Sequence, residues 1–264
     1  MSGTLAVGTV YAEVHQGVGW LTISNPGKRN ALSVAMMDQL GEFLSQLHDD
    51  PAARVVVLRG DAGGGAFAAG ADISEFEAQH TQEDARRAAD DAVTRLFGAL
   101  SALDRPVIAM IGGHCLGAGL ALALGADIRI ATDTSTFAIP AARLGIGYPT
   151  PLTRALAATV GPGAAADILF TGRTLTAKEA LSIGLVNRQV GEAELENDVR
   201  SLATTIAENA PLSIRAAKAA IRSSVQPDLT PHADRLVAAC VNSDDAREGQ
   251  RAFMQKRAPR FRGV

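Results

Sequence analysis

The sequence contains little cysteine. Its 264 residues include Cys115 and Cys240 and no other cysteine. Two cysteines are too few for a disulfide framework or a structural zinc site, and such scarcity is typical of a reducing compartment. We therefore expect a cytoplasmic protein that holds no metal ion.

The sequence also lacks an excess of charge and a long apolar run. Its formal net charge is −3 at pH 7, and no basic run occurs before the last few residues, which argues against a nucleic-acid partner. The longest apolar stretch, residues 116–126, is interrupted by glycines and is too short to span a membrane. No charged segment followed by an apolar one begins the sequence, so we expect neither a secretory signal nor a membrane partner.

Apolar runs of strand length are present, and amphipathic segments alternate with them. Hydrophobic residues make up 47% of the chain, which is enough for one large domain with a substantial core. Residues 10–15 and 20–24 predict a β-hairpin, and Ser33 is a candidate N-cap of a helix that runs to about residue 47. Three apolar runs are typical of strands buried on both faces of a sheet: "RVVVLRG", "PVIAMI" and "DIRIAT".

Helical patterns dominate the rest of the chain. One polar helix is predicted over 81–103. Further helices are predicted over 149–160, 162–170, 177–184, 192–209, 211–224, 231–241 and 243–256. The order of elements predicts an α/β core followed by a helical region.

Two loops rich in glycine and alanine each follow an apolar strand and precede a helix. Their sequences are "GGGAFAAGAD" and "GGHCLGAGL". Small residues let a ligand approach the backbone, and two such loops side by side could direct two N–H groups at one oxygen, as in an oxyanion hole. The alternative is that the glycines only permit tight turns and close packing of helices, and the spacing alone does not separate the two interpretations.

Five ordered segments carry a resemblance to a known family. They are "GGGAFAAGADI", "RPVIAMIGGHCLGAGLALALGADIRIA", "FAIPAARLGIG", "FTGRTLTAKEALSIGLVNRQV" and "AFMQKRAPRF". In this order the chain resembles the enoyl-CoA hydratase/isomerase family of the crotonase superfamily. The resemblance implies a spiral of βαβ units over residues 1–200, with a helical oligomerisation region over 201–264 that forms a homotrimer or hexamer. It also implies a coenzyme A thioester as substrate, no prosthetic group, and a thioester enolate stabilised by two backbone N–H groups.

The resemblance assigns roles to individual positions. It places the two oxyanion donors at the backbone N–H groups of Ala71 and Ala118. The positions that match coenzyme A contacts of the family are Lys28, Arg29, Ala31, Ala69, Asp72, Ile73, Phe253 and Lys256. Without the resemblance, Lys28 and Arg29 would be interpreted as part of a solvated loop, and Phe253 and Lys256 as part of a surface helix.

The sequence departs from the family where a hydratase carries two catalytic glutamates. Those positions are Ala121 and Ala141, and alanine cannot transfer a proton. Tyr148 lies nearby in "LGIGYP", where decarboxylases of the superfamily carry a tyrosine; a half-buried structural tyrosine is the alternative. His114 and Cys115 fit a structural interpretation better than a catalytic one.

Several functions stay compatible with these residues. A decarboxylase or another carbon–carbon lyase could use Tyr148, and decarboxylation needs no general base because loss of carbon dioxide itself generates the enolate. A hydratase or isomerase could instead use displaced acid/base groups, for which Glu75, Glu77 and His80 on the polar segment are candidates. The third alternative is a protein that binds acyl-CoA without turnover.

Overall fold

The structure, a computed structural model, describes residues 8–72 and 82–264. The candidate residues Ile73, Glu75, Glu77 and His80 lie outside the described residues. In the described part of the chain, no helix is long and apolar enough to cross a membrane.

The described elements alternate strand and helix in the first two thirds of the chain and are mostly helical after that. In chain order the strands are β1 (Thr9–His15), β2 (Val18–Ser24), β3 (Val55–Gly60), β4 (Ala66–Ala68), β5 (Val107–Ile111), β6 (His114–Leu116), β7 (Ile128–Thr132), β8 (Thr136–Ala138), β9 (Leu175–Thr176) and β10 (Arg188–Val190). The helices are α1 (Val34–Asp49), α2 (Gln82–Ala102), α3 (Ala118–Gly125), α4 (Thr150–Thr171), α5 (Ala177–Ser182), α6 (Leu195–Glu208), α7 (Pro211–Ser223), α8 (Thr230–Val241) and α9 (Asp244–Met254).

The larger sheet has six strands in the order β1-β2-β3-β5-β7-β10. The β1–β2 hairpin is antiparallel, and the remaining pairs are parallel. Alternate side chains of β3 enter two cores: Val56 belongs to the main core with α1 to α5, whereas Val57 belongs to a second core with Val199 of α6. Burial on both faces explains why this strand is an uninterrupted apolar run, as predicted.

The smaller sheet has the order β4-β6-β8-β9, and none of its strands exceeds three residues. Strands β4, β6 and β8 are parallel. The sequence did not predict these strands, because segments of two or three residues are too short to show a periodicity and depend on their neighbours for pairing. This sheet matters for function because the two glycine-rich loops leave the ends of β4 and β6.

The helix predictions are confirmed. The Ser33 hydroxyl accepts a hydrogen bond from the Met36 backbone N–H at 3.1 Å, so the predicted N-cap of α1 is present. The helices predicted over 149–160 and 162–170 are both present in α4, where they meet at a kink at Gly161, whose φ of +79° is not helical. The α/β core and the helical C-terminal part are confirmed, whereas the domain boundary near residue 200 stays a prediction.

Candidate active site

A cavity of about 220 Å³ opens between the two glycine-rich loops, α2, α4 and the 3-10 segment Pro140–Leu144. Most of its wall is apolar. The larger apolar side chains on it are Val93, Leu116, Ile139, Leu144, Ile146 and Leu152. The cavity is also lined by five positions that the sequence singled out, which the structure therefore brings together: Ala69, Ala71, Ala118, Ala141 and Tyr148.

The first loop is held by a single parallel β-bridge between Leu32 and Ala71. The Leu32 N–H donates to the Gly70 carbonyl at 2.8 Å, and the Asp72 N–H donates to the Leu32 carbonyl at 2.8 Å. Both hydrogen bonds of the bridge therefore involve the two neighbours of Ala71, which are Gly70 and Asp72. The Ala71 N–H is therefore not used by the bridge, although the loop around it is fixed.

The second loop places a helix N-terminus at the cavity. Gly117 precedes α3 with φ of 50° and ψ of −114°, a conformation that favours glycine, and its N–H donates to the Ala138 carbonyl at 2.8 Å. Ala118 is the first residue of α3, so its N–H has no acceptor within the helix. Within residues 8–72 and 82–264, neither the Ala71 N–H nor the Ala118 N–H donates a hydrogen bond.

Close packing brings the two loops together. Ala68 of β4 pairs with Cys115 of β6, and a Cβ atom at Gly117 would lie 3.8 Å from the Gly70 Cα atom. A Cβ atom at Gly119 would lie 2.3 Å from the Ala68 carbonyl oxygen, so only glycine lets α3 approach β4 this closely. The result is two backbone donors without internal partners on the wall of one cavity, an arrangement suited to a carbonyl oxygen that gains negative charge.

An ion pair ties the charged loop to the first glycine-rich loop. The Lys28 ammonium lies 2.7 Å from the Asp72 carboxylate, which is 8% exposed, whereas Lys28 is 41% exposed. The Ala69 N–H donates to the Arg29 carbonyl at 3.1 Å, and the Ala31 N–H to the Lys28 carbonyl at 3.0 Å. These five predicted coenzyme A contacts therefore form one continuous patch.

The C-terminal candidates lie elsewhere. Phe253 is 85% exposed in the last turn of α9, and Lys256 is exposed two residues beyond that helix. Neither residue lines the cavity of the same chain.

The two positions of the missing glutamates differ in their surroundings. Ala141 lies in the 3-10 segment and lines the cavity, so a longer acidic side chain there would reach into the cavity. Ala121 is fully buried in α3 and does not line the cavity. The cavity wall therefore contains no carboxylate at either position.

Tyr148 lies in the cavity wall with its hydroxyl oxygen shielded from solvent. Among the described residues, this hydroxyl has no hydrogen-bond partner. Burial raises the pKa of Tyr148 well above its usual value, and the neighbouring Cys115 raises that pKa further. At neutral pH the group is a neutral phenol.

His114 and Cys115 have structural surroundings. His114 Nδ1 and Thr136 Oγ1 share a hydrogen bond of 2.8 Å between β6 and β8. Cys115 is fully buried, and burial raises the pKa of its thiol far above the usual value, so it is no nucleophile in this state. Nowhere in the described ranges do three or more histidine, cysteine, aspartate or glutamate side chains form a group that could hold a metal ion.

Asp90 is a cavity residue that sequence reasoning missed. It lies on α2 beside Ala89 and Val93, which also line the cavity. The helical pattern predicts the apolar face of α2, but Asp90 lies at the border of that face, where periodicity cannot decide whether a polar side chain faces a ligand or solvent.

Comparison with known proteins gives one consistent result. A sequence model described as enoyl-CoA hydratase/isomerase matches residues 13–264. A Mycobacterium tuberculosis protein named "Probable enoyl-CoA hydratase echA8" is 37% identical over 96% of this chain and 97% of its own length. The short-chain-enoyl-CoA hydratase of Clostridium acetobutylicum is 33% identical, with 96% and 97% coverage. The crystal structure of enoyl-CoA hydratase from Bacillus anthracis superimposes with a TM-score of 0.89 at 31% identity, covering 97% of this chain and 100% of that one.

Proposed function

This chain belongs to the enoyl-CoA hydratase/isomerase family and has the crotonase-like fold, and from this premise we propose that it binds an acyl-CoA thioester and stabilises the thioester enolate. The observation that carries the proposal is the pair of backbone donors at Ala71 and Ala118, which have no partner among the described residues. Two fixed donors that face a developing oxyanion lower the energy of the enolate more than that of the neutral thioester.

The shape of the cavity supports a compact apolar acyl group. An engineered apolar cavity of about 150 Å³ holds a benzene molecule. The cavity described above is about 220 Å³, so a short, branched or cyclic acyl group fits beside the two donors.

Standard hydration does not agree with the residues present. That reaction uses one carboxylate to activate water and a second to protonate carbon, and Ala121 and Ala141 supply neither. Loss of carbon dioxide from a malonyl-type thioester needs no base: the electron pair of the breaking carbon–carbon bond forms the enolate, and a proton then adds to the α carbon. Double-bond isomerisation requires a displaced acid/base group. We therefore propose a lyase or isomerase that proceeds through the enolate.

Coenzyme A binding is part of the same proposal. The patch of Lys28, Arg29, Ala31, Ala69 and Asp72 adjoins the first donor loop and carries basic groups that suit the phosphates. Phe253 and Lys256 are exposed and do not line the cavity of their own chain, which suits contacts to coenzyme A bound by a neighbouring subunit of a trimer or hexamer. We place this activity in the cytoplasm, as the cysteine content predicts.

A second candidate function is binding of acyl-CoA without turnover. Two observations favour it: alanine stands at both glutamate positions, and the Tyr148 hydroxyl is shielded from solvent. Both functions use the same donor loops, so the loops do not distinguish them.

The test uses the purified protein with crotonyl-CoA, malonyl-CoA and methylmalonyl-CoA. Binding is measured by calorimetry, hydration by loss of the enoyl absorbance, and lyase activity by release of carbon dioxide. Release that is lost on Tyr148→Phe supports the lyase; binding without turnover supports the second candidate. Hydration of crotonyl-CoA at an ordinary rate, about 1–1000 per second, contradicts the interpretation of Ala121 and Ala141.

A further inference from the structure

Asp90 is a carboxylate-bearing residue of the cavity wall. Of the described residues that line the cavity, Asp90 alone carries a carboxylate, and Tyr148 is the other titratable residue among them. The Tyr148 hydroxyl is shielded from solvent, so it is poorly placed to exchange protons with a ligand. Asp90 is therefore the one described group in the wall whose chemistry resembles that of the missing glutamates.

The position of Asp90 follows from the packing of α2. Ala89 and Val93 are buried, and Ala89, Asp90 and Val93 all reach the cavity, so this part of α2 forms one side of the acyl site. Asp91, the next residue, is exposed and does not line the cavity. Helical geometry thus separates two adjacent aspartates, one on the cavity wall and one on the surface.

We propose that Asp90 is the catalytic residue that transfers the proton during enolate formation; this rests on the function proposed above and names its acid/base group. The Asp90 carboxylate takes the proton from the α carbon of a β,γ-unsaturated acyl thioester. The electron pair of that C–H bond forms the enolate, whose oxygen accepts hydrogen bonds from the Ala71 and Ala118 N–H groups. The proton then passes from Asp90 to the γ carbon, which gives the α,β-unsaturated isomer and needs no co-reactant.

Asp90 also affects which acyl groups the cavity accepts. A carboxylate in the wall of an apolar cavity repels a second carboxylate on the acyl group. Asp90 therefore selects uncharged acyl chains over malonyl-type chains, and within the proposed function it favours isomerisation over decarboxylation.

The experiment measures exchange of the α protons of butyryl-CoA in deuterated water by mass spectrometry. This saturated thioester undergoes the first proton transfer and can go no further. The wild-type protein should incorporate deuterium, and Asp91→Asn, the same change at the neighbouring exposed position, should exchange at the wild-type rate. Asp90→Asn should lower the exchange rate about 100-fold or more, in the range that general acid/base groups contribute. Butyryl-CoA affinity, measured by calorimetry, should change less than threefold in both variants.

Asp90→Glu keeps the carboxylate and serves as a control in case Asp90→Asn fails to fold. Exchange in Asp90→Glu should exceed that in Asp90→Asn by at least tenfold. Exchange in Asp90→Asn at the wild-type rate, or tight binding by a wild-type protein that exchanges no proton, would overturn the role of Asp90 and leave the proposed binding intact. A wild-type protein that does not bind butyryl-CoA would instead overturn the proposed function itself.

Discussion

Replacing Tyr148 with phenylalanine should stabilise the protein. The change removes the shielded hydroxyl, which has no partner among the described residues, and leaves the ring in the cavity wall. A buried polar group without a partner costs about 1–3 kcal/mol, so the free energy of unfolding should rise by an amount in the lower part of that range. For a domain of this size, each 1 kcal/mol corresponds to a rise in Tm of about 2–4 °C, which differential scanning calorimetry measures readily.

The other tyrosine provides a matched control. Tyr11 is 41% exposed, and its hydroxyl donates to the Asp61 carboxylate at 3.2 Å. Tyr11→Phe makes the same chemical change where the hydroxyl is hydrogen-bonded and in contact with water, so Tm should stay the same or fall slightly. A fall in Tm for Tyr148→Phe would refute the reasoning, because it would mean that the Tyr148 hydroxyl has a stabilising partner.

Titration of the same hydroxyl gives an independent measurement. Since the chain has two tyrosines, the Tyr11→Phe protein reports Tyr148 alone in an ultraviolet titration of phenolate. Burial raises the pKa of Tyr148 above the usual value near 10, so the folded protein should show no phenolate at that pH. Because the pKa of Tyr148 is higher in the folded state than in the unfolded state, the unfolded state loses the proton first, and the free energy of unfolding should fall as pH rises above about 10. Ionisation near pH 10 in the folded state would contradict the burial of the hydroxyl.

Substitutions of Ala118, Lys256 and Glu248 test the donor loop, the coenzyme A contact and stability in acid, respectively. Ala118→Pro replaces the backbone N–H with a ring carbon at the first position of a helix, where proline is tolerated. The rate of α-proton exchange should therefore fall about 100- to 1000-fold, whereas Ala118→Gly, which keeps the N–H, should exchange near the wild-type rate. Equal rates in the two variants would remove Ala118 from the site. Lys256→Gln should weaken binding of coenzyme A thioesters about tenfold in calorimetry, with Tm unchanged because Lys256 is exposed. Unchanged affinity would remove that assignment. Hydrogen bonds from the Arg257 side chain, and to a smaller extent from the backbone N–H of Arg260, lower the pKa of Glu248 to about 2. The stabilisation that these bonds give is therefore present above about pH 4.5 and is lost as pH falls toward 2. Glu248→Gln should flatten that part of the Tm-versus-pH curve, and an unchanged slope would contradict the pairing.

Much of the fold could be predicted from the sequence because its strongest elements carry their own pattern. The apolar run of β3 requires burial on both faces, and Ser33 caps α1 through its own side chain. The three-residue strands β4, β6 and β8 could not be predicted, since only pairing with one another makes them strands.

The candidate site was predictable where its function lies in the backbone. The positions of the Ala71 and Ala118 N–H groups depend on loop geometry that requires glycine at the neighbouring positions. Glycine residues can be read directly from a sequence. The direction in which a side chain points could not be predicted from the sequence. Asp90 and Asp91 are identical in type and adjacent in sequence, and only the packing of α2 decides that the first lines the cavity. The shielding of the Tyr148 hydroxyl likewise depends on how distant segments pack.

The most direct measurement of the oxyanion hole is the infrared carbonyl frequency of butyryl-CoA labelled with carbon-13 at the thioester carbon. Two backbone donors that polarise the carbonyl should shift the frequency of the bound thioester below its value in water, and Ala118→Pro should reverse most of that shift while the thioester still binds. A bound frequency equal to or above the value in water would mean that the N–H groups of Ala71 and Ala118 do not hold the thioester oxygen.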